Sequence, residues 1–299
     1  MKKMLFVMNP ISGMRRAAKH LPDILSLYNR AGYETLVHMT GCQGDAREVV
    51  IRHAKDVDII VCCGGDGTLN ETISGVLASG TDTPIGYIPA GSTNDLAASL
   101  KLSGNIMQAA QDILVSEPVA YDVGKFGDRY FSYVASFGAF TRTSYTTPQS
   151  IKNALGHTAY VLGGISELSQ LRKEHIRMEL DDQIIEDDFI FGAISNSTSV
   201  GGILALDPNV VDMSDGYMEI LLVRAPKNLT ELSECLLAMQ SLDYNSCSVV
   251  TFLSTQKVKV FADPEMPWTL DGEREEGHSE VMVENLHKGI RLMKKVETV

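Results

Sequence analysis

The sequence predicts two domains of different class, an α/β domain built on a parallel sheet followed by a mainly β domain with an antiparallel sandwich or barrel. Three observations carry this. Up to about residue 121, short apolar runs alternate with segments of helical period. Beyond it, strand-like runs follow one another across Asp- and Gly-bearing turns, with few helices between. The chain has 299 residues, 44% hydrophobic and 21% charged, which is more than one small core needs and too apolar for disorder.

Residues 4–8 form the first apolar strand, stopped by Asn9-Pro10. A helix follows with Ala17, Leu21, Ile24, Leu25 and Tyr28 on one face and Arg15, Arg16 and Lys19 opposite, and Gly32 ends it. A strand at 35–40, a helix at 45–55 and a buried strand at 58–63 come next. The last of these runs into Gly64-Gly65. A helix from about Leu69, a strand at 85–88 and helical segments near Asn94 and over 107–115 complete the first domain. The later strands fall at 130–136, 175–180, 184–195, 218–224, 258–262 and 280–284, with helices at 158–171 and 229–239. The reading is a first domain over 1–123 and a second over 124–287. A closing strand at 289–293, within 288–299, is open to assignment in either.

Composition narrows the function. Thirty-eight acidic residues against 26 basic ones give a net charge of −12, the opposite of a nucleic-acid-binding footprint. The five cysteines, Cys42, Cys62, Cys63, Cys235 and Cys247, form no C-x-x-C and suggest reduced thiols rather than a zinc site or disulfide framework. Asn9-Pro10 cuts the first apolar run far short of a signal core, and no run reaches the roughly 20 residues of a membrane span. The expectation is a cytoplasmic protein.

The strongest motif is Gly64-Gly65-Asp66-Gly67-Thr68-Leu69-Asn70-Glu71. A buried strand runs into glycines and then a helix start, where free N–H groups and the helix dipole suit a phosphate. An Asp in that loop would repel the phosphate unless a cation lies between, so the motif implies Mg²⁺. It is neither a P-loop nor a dinucleotide fingerprint. Asn9-Pro10-Ile11-Ser12-Gly13 and Pro89-Ala90-Gly91-Ser92-Thr93-Asn94-Asp95 end neighbouring strands. Three such turns on one rim point to a nucleotide-phosphate site beyond the strand carboxyl ends.

Together with Asp122-Val123-Gly124 and Asp271-Gly272-Glu273, in this order, these motifs resemble the diacylglycerol kinase catalytic-domain family, and within it the soluble bacterial lipid kinases. The Gly-Gly-Asp-Gly element is shared with NAD kinases and phosphofructokinases, whose fold the first domain would then take. The resemblance implies that Asn9, Pro10, Ile11, Ser12, Gly13, Thr40, Gly64, Gly65, Asp66, Gly67, Thr68, Leu69, Asn70 and Ser92 line the ATP site. Ser92 stands where the family usually has Thr, and Ala98 where it often has a basic residue. Asp66, Asp95 and Asp122 would position the catalytic Mg²⁺, partly through water. Asp212, Asp215 and Tyr217 match a second, structural Mg²⁺ site, beside which an ordinary turn is the plain reading.

Glu273 would be the general base for a lipid hydroxyl, acting with Asp66 as the catalytic pair in a cleft between the domains. An ionised carboxylate is able to accept that proton. A common Asp-Gly hairpin turn explains the same three residues without chemistry. The implied activity is an ATP- and Mg²⁺-dependent kinase acting on diacylglycerol or a related lipid at the membrane surface. The alternatives are a soluble-substrate kinase such as an NAD kinase and a non-catalytic nucleotide- or lipid-binding regulator. The intact Asp66 and Glu273 speak against the regulator. Arg15, Arg16 and Lys19, then Arg172, Lys173 and Arg177, then Lys288, Arg291, Lys294 and Lys295 are the basic clusters available for reversible membrane docking. A homodimer is a candidate assembly.

Overall fold

In the computed structural model, which describes residues 1–138, 172–200, 204–207 and 209–295, the chain divides into two units. One comprises Met1–Val123 with Leu286–Val299, the other Gly124–Asn285. The helix expected at 158–171 lies outside the described residues.

The first unit carries the parallel sheet. Strands β1 (Lys2–Met8), β2 (Tyr33–Met39), β3 (Ile59–Gly64) and β4 (Ile85–Pro89) run in the order β2-β1-β3-β4. Between them come α1 (Ser12–Arg30), α2 (Asp45–His53) and α3 (Asp66–Ser79), and after β4 come α4 (Asp95–Ser99) and α5 (Ile106–Leu114). Met4, Phe6 and Met8 pack with Ala17, Ile24 and Tyr28 of α1 and with Ala110 and Ile113 of α5. The alternate residues Leu5, Val7, Ile60 and Cys62 are buried as well. Both faces of the sheet are therefore covered, which is why its strands read as continuous apolar runs. Helix α3 begins at Asp66, three residues earlier than expected. Gly65 is extended and its carbonyl accepts from Leu69 N–H, so Asp66-Gly67-Thr68 are the helix's own first turn.

The expected boundary near residues 122–125 contains no linker. Strand β5 (Glu117–Phe126), which Pro118 and Gly124 disguise in the sequence, runs straight through it.

The second unit is antiparallel. Two expected strands each prove to be two. Residues 130–136 split into β6 (Arg129–Phe131) and β7 (Val134–Gly138), and residues 184–195 into β9 (Ile184–Phe189) and β10 (Phe191–Ser195). β9 pairs with β8 (Glu174–Glu179), whereas β10 pairs with β7 and with β13 (Met218–Val223). The chain changes sheets at Ile190, whose N–H bonds the Val223 carbonyl. Short strands β11 (Ser199–Val200) and β12 (Leu204–Ala205) form a pair of their own. After β13 come α6 (Leu229–Ser241), β14 (Val250–Thr255), β15 (Lys257–Phe261), β16 (Trp268–Leu270) and β17 (Glu273–Glu275). One sheet has the order β14-β13-β10-β7-β16-β17. Trp268 is wholly buried, with its ring 4.9 Å from Phe126 and 5.0 Å from Phe137.

The two final strands expected at 280–284 and 289–293 are one, β18 (Glu280–Lys294). Its first part pairs antiparallel with β15 in the second unit. Its last part pairs parallel with β4 in the first, at Leu292 opposite Ile85.

Candidate active site

In the first unit, parallel pairing sets the carboxyl ends of four strands side by side, and main-chain bonds stitch them into one rim. Thr40 N–H donates to the Met8 carbonyl (2.8 Å), Asn9 N–H to Cys63 (3.0 Å) and Ala90 N–H to Gly64 (2.7 Å). Asn9 also shapes its own turn. Its Oδ1 accepts from Ile11 N–H at 3.1 Å and its Nδ2 donates to Thr68 Oγ1 at 3.4 Å.

The turns touch because they are glycine. Gly13 has φ +54°, and a Cβ there would stand 2.2 Å from the Ala90 carbonyl oxygen. A Cβ on Gly91 would stand 2.6 Å from Gly65 Cα. No side chain fits between the second and third turns. Asn94, itself left-handed at φ +54°, locks the third turn by accepting from Gly91 N–H (2.8 Å) and donating to its carbonyl (3.1 Å). Thr93 Oγ1 donates to Asp66 Oδ2 at 3.3 Å, which ties that turn to the head of α3.

The rim therefore assembles Asn9, Gly13, Thr40, Gly64, Gly65, Asp66 and Thr68 from separate strand ends. Pro10 and Ser12 are half-buried beside them, while Ile11 and Ser92 are exposed. Gly67 and Asn70 lie in the first turns of α3. Leu69 is different, because its side chain is wholly buried and its N–H is bonded to Gly65. Glu71, the last residue of the motif, accepts from Gly44 N–H (2.7 Å) and Ala46 N–H (3.1 Å) and so anchors the start of α2.

Asp66 and Asp95 are buried at the heads of α3 and α4. Asp122 is also buried, but its Oδ1 accepts from Lys288 N–H at 2.6 Å and lies 3.1 Å from His287 Nδ1. Lys288 has φ +52°, so Asp122 pins a kink in β18. Among the described residues no three His, Cys, Asp or Glu side chains gather closely enough to cage a metal. A hard divalent cation held by one or two carboxylates, with water and nucleotide phosphate completing its shell, needs no such cage. The all-oxygen donors around Asp66 fit that mode.

In the second unit, Asp212 Oδ1 accepts from Ser214 N–H and hydroxyl, and Asp215 Oδ1 from Tyr217 N–H. The Tyr217 carbonyl accepts from Asn285 Nδ2 at 2.9 Å. Nearby Glu219 is almost wholly buried, and that burial, reinforced by Asp215, pushes its carboxyl up to about 7. The sequence gives no sign of this, because a Glu inside an apolar strand reads as facing water.

Asp271 (φ +49°) and Gly272 (φ +82°) form a two-residue turn joining β16 to β17, with Leu270 opposite Glu273. The turn is also a hub. The buried Asp271 carboxylate accepts from the Ser132 N–H, Ser132 hydroxyl, Tyr133 N–H and Val134 N–H at 2.6–3.0 Å. These bonds occupy the gap that separates β6 from β7. Burial nonetheless pushes the Asp271 carboxyl up, against the pull of those donors. Glu273 is partly exposed, with Arg129 Nη2 at 3.8 Å, and Arg129 also pairs with Glu275 at 2.6 Å. Arg129 is a neighbour of the expected base that no motif marks.

Comparison with known proteins agrees with the sequence motifs. Residues 3–126 match the diacylglycerol kinase catalytic domain, and residues 134–293 match the YegS C-terminal NAD kinase beta sandwich-like domain. A diacylglycerol kinase of Bacillus subtilis (strain 168) is 31% identical over 277 residues, covering 91% of this chain and 90% of the relative. One of Staphylococcus haemolyticus (strain JCSC1435) is 32% identical over 268 residues, covering 89% and 81%. The crystal structure of a diacylglycerol kinase from Bacillus anthracis str. Sterne shares the fold, with a TM-score of 0.76 at 21% identity over 100% of this chain and 98% of that one. With a glycine-built rim, an antiparallel second unit and relatives of this length and identity, the chain belongs to the diacylglycerol kinase catalytic-domain family and is an ATP-dependent lipid kinase.

Proposed function

We propose that the enzyme transfers the γ-phosphoryl group of ATP to the primary hydroxyl of diacylglycerol or a closely related lipid, with Mg²⁺ as the metal. The observation that carries this reading is the contact of Gly13 with Ala90 and of Gly65 with Gly91, which leaves a main-chain surface that phosphate oxygens can approach. The names of the relatives support the acceptor. Asn9, Gly13, Thr40, residues 64–68 and Asn70 hold the nucleotide. Asp66 and Asp95 hold the cation, Asp122 through water, and when bound the cation offsets charge on the transferred group. Glu273 orients the lipid hydroxyl and takes its proton.

The decisive experiment supplies radiolabelled ATP with diacylglycerol, other lipid alcohols and NAD in mixed micelles. Label in a lipid phosphate is expected. Label in NAD alone would favour a soluble-substrate kinase, and no acceptor-dependent label would favour a regulator. Replacing Gly65 with Val drives a side chain against Gly91, so ATP affinity is expected to fall by about tenfold or more while the circular dichroism spectrum is retained. Unchanged affinity by calorimetry would move the nucleotide elsewhere.

No helix among the described residues is long and apolar enough to cross a membrane, and the proposed route to the lipid is reversible docking through basic residues. Two of the basic clusters are partly neutralised. Arg172 pairs with Glu174 and Asp263, Arg177 with Glu179 and Glu186, and Arg291 with Asp82. We propose docking through Arg15, Arg16 and Lys19, which the helical period of α1 sets opposite its apolar residues. Reversing these charges should weaken cosedimentation with anionic vesicles by roughly 100-fold at low salt, at about 1 kcal/mol per charge. Equal sedimentation of variant and wild type would reduce the cluster to a solvated helix face.

A further inference from the structure

The first unit contains a cavity of about 530 Å³ that none of the rim residues lines. Its walls come from the end of α4, from α5, from the start of β5 and from the last residues of β18. Its lining is mixed, with Leu100, Ile113, Val119, Tyr121 and Met293 as apolar residues and Ser99, Ser103 and Ser116 among the polar ones. Its lining also includes three cations, Lys101, Lys294 and Lys295. None of the three forms an ion pair among the described residues. The one carboxylate in the lining, Asp112, accepts from Gln108 Nε2 at 2.9 Å.

Two further features suggest a binding site rather than a packing gap. The volume lies within the usual range for small-molecule pockets, about 300–1,000 Å³. Lys101 (φ +56°) is the left-handed residue that ends α4, its N–H bonded to the Ala98 carbonyl and that of Leu102 to the Ala97 carbonyl, so the backbone carrying this cation is fixed at the pocket.

From the apolar residues and the lysines that share its lining, we propose that this cavity binds a membrane-derived amphiphile with one acyl chain and an anionic head, at a site separate from the nucleotide rim. The chain buries against Leu100, Ile113, Val119 and Met293, and the lysines meet the head with charge-assisted hydrogen bonds. The site adjoins the rim through Tyr87. Tyr87 is among the lining residues, and its hydroxyl lies 3.3 Å from both the Gly64 carbonyl and Asn94 Oδ1. The proposal does not depend on which lipid the enzyme phosphorylates.

Calorimetry with the full-length protein tests it, using dodecyl phosphate below its micelle concentration as probe. Dodecyl maltoside, with a matching tail and a neutral head, and inorganic phosphate, the head alone, are the controls. Saturable binding of dodecyl phosphate is expected, with both controls weaker by about tenfold or more. The triple variant Lys101→Glu, Lys294→Glu, Lys295→Glu, whose changes lie at exposed or half-exposed positions, should weaken dodecyl phosphate by about tenfold or more. Val119→Trp should fill the cavity and abolish binding. If that variant does not fold, the lysine variant decides alone. Unchanged affinity in the lysine variant would mean that the probe sits elsewhere, the kinase's own lipid site included, and would overturn the assignment. Equal binding of inorganic phosphate or of the maltoside would overturn it as well.

Discussion

Glu273→Gln is expected to lower kcat on the best lipid acceptor by about 10²–10⁴-fold, the usual range for loss of a general base. The substitution keeps size and hydrogen-bonding shape and removes only the charge and the basic lone pairs. Glu273 is the first residue of β17 and partly exposed, so the fold does not depend on its carboxylate. ATP affinity should stay within about twofold, since the proposed nucleotide contacts are all made by residues of the other unit. Asp66→Asn should behave differently, because it weakens cation positioning. Its defect should shrink as metal concentration rises, whereas that of Glu273→Gln should not. Near-normal turnover by Glu273→Gln in initial-rate assays would leave residues 271–273 with a structural role alone.

That structural role predicts the second large effect. Asp271→Ala strips the acceptor from three main-chain N–H groups and one hydroxyl in a buried setting. At about 1–3 kcal/mol for each buried donor left unsatisfied, and allowing for incomplete additivity, the loss is about 4 kcal/mol or more. Asp271→Asn is the sharper comparison. Asn tolerates the left-handed backbone of that position, but its amide turns a donor toward other donors. It should fall between wild type and Asp271→Ala. Urea unfolding followed by fluorescence of Trp268, the sole tryptophan, reports this unit directly. An Asp271→Asn midpoint equal to that of wild type would contradict the hub.

The parallel half of the fold and its rim were legible in the sequence for a physical reason. Strands buried on both faces read as unbroken apolar runs, and the glycines that end them mark where backbones approach. The second unit was harder because β16 and β17 are three residues each, too short to show alternation. The roles of single carboxylates were least legible. Asp122 answers to Lys288, 166 residues away, and Asp271 to Ser132, 139 residues away. Motif reading assigns Asp122 to the cation and leaves residues 271–273 between a turn and a catalytic element, and it shows neither the Lys288 N–H nor the Ser132 donors that the two aspartates accept from. Neither could be resolved without knowing what the chain brings back to each carboxylate.

The return of β18 to the first unit bears on how the chain is made. Gly124–Asn285 must be synthesised after β4 and before Leu286–Val299, which completes the unit that β4 began. At 5–20 residues per second this interval lasts roughly 8–30 s, a long time on the scale of sheet formation. Throughout it, β4 lacks the partner that Leu292 provides opposite Ile85, the Asp122 carboxylate is without Lys288, and Asp82 is without Arg291. The nascent N-terminal half thus presents an open sheet edge at β4 until the last part of β18 has been made. Closing contacts across 209 residues carries a loop entropy that local helices do not meet. Synthesis of the last part of β18, rather than emergence of the first unit, is the step after which the nucleotide-binding half can finish folding.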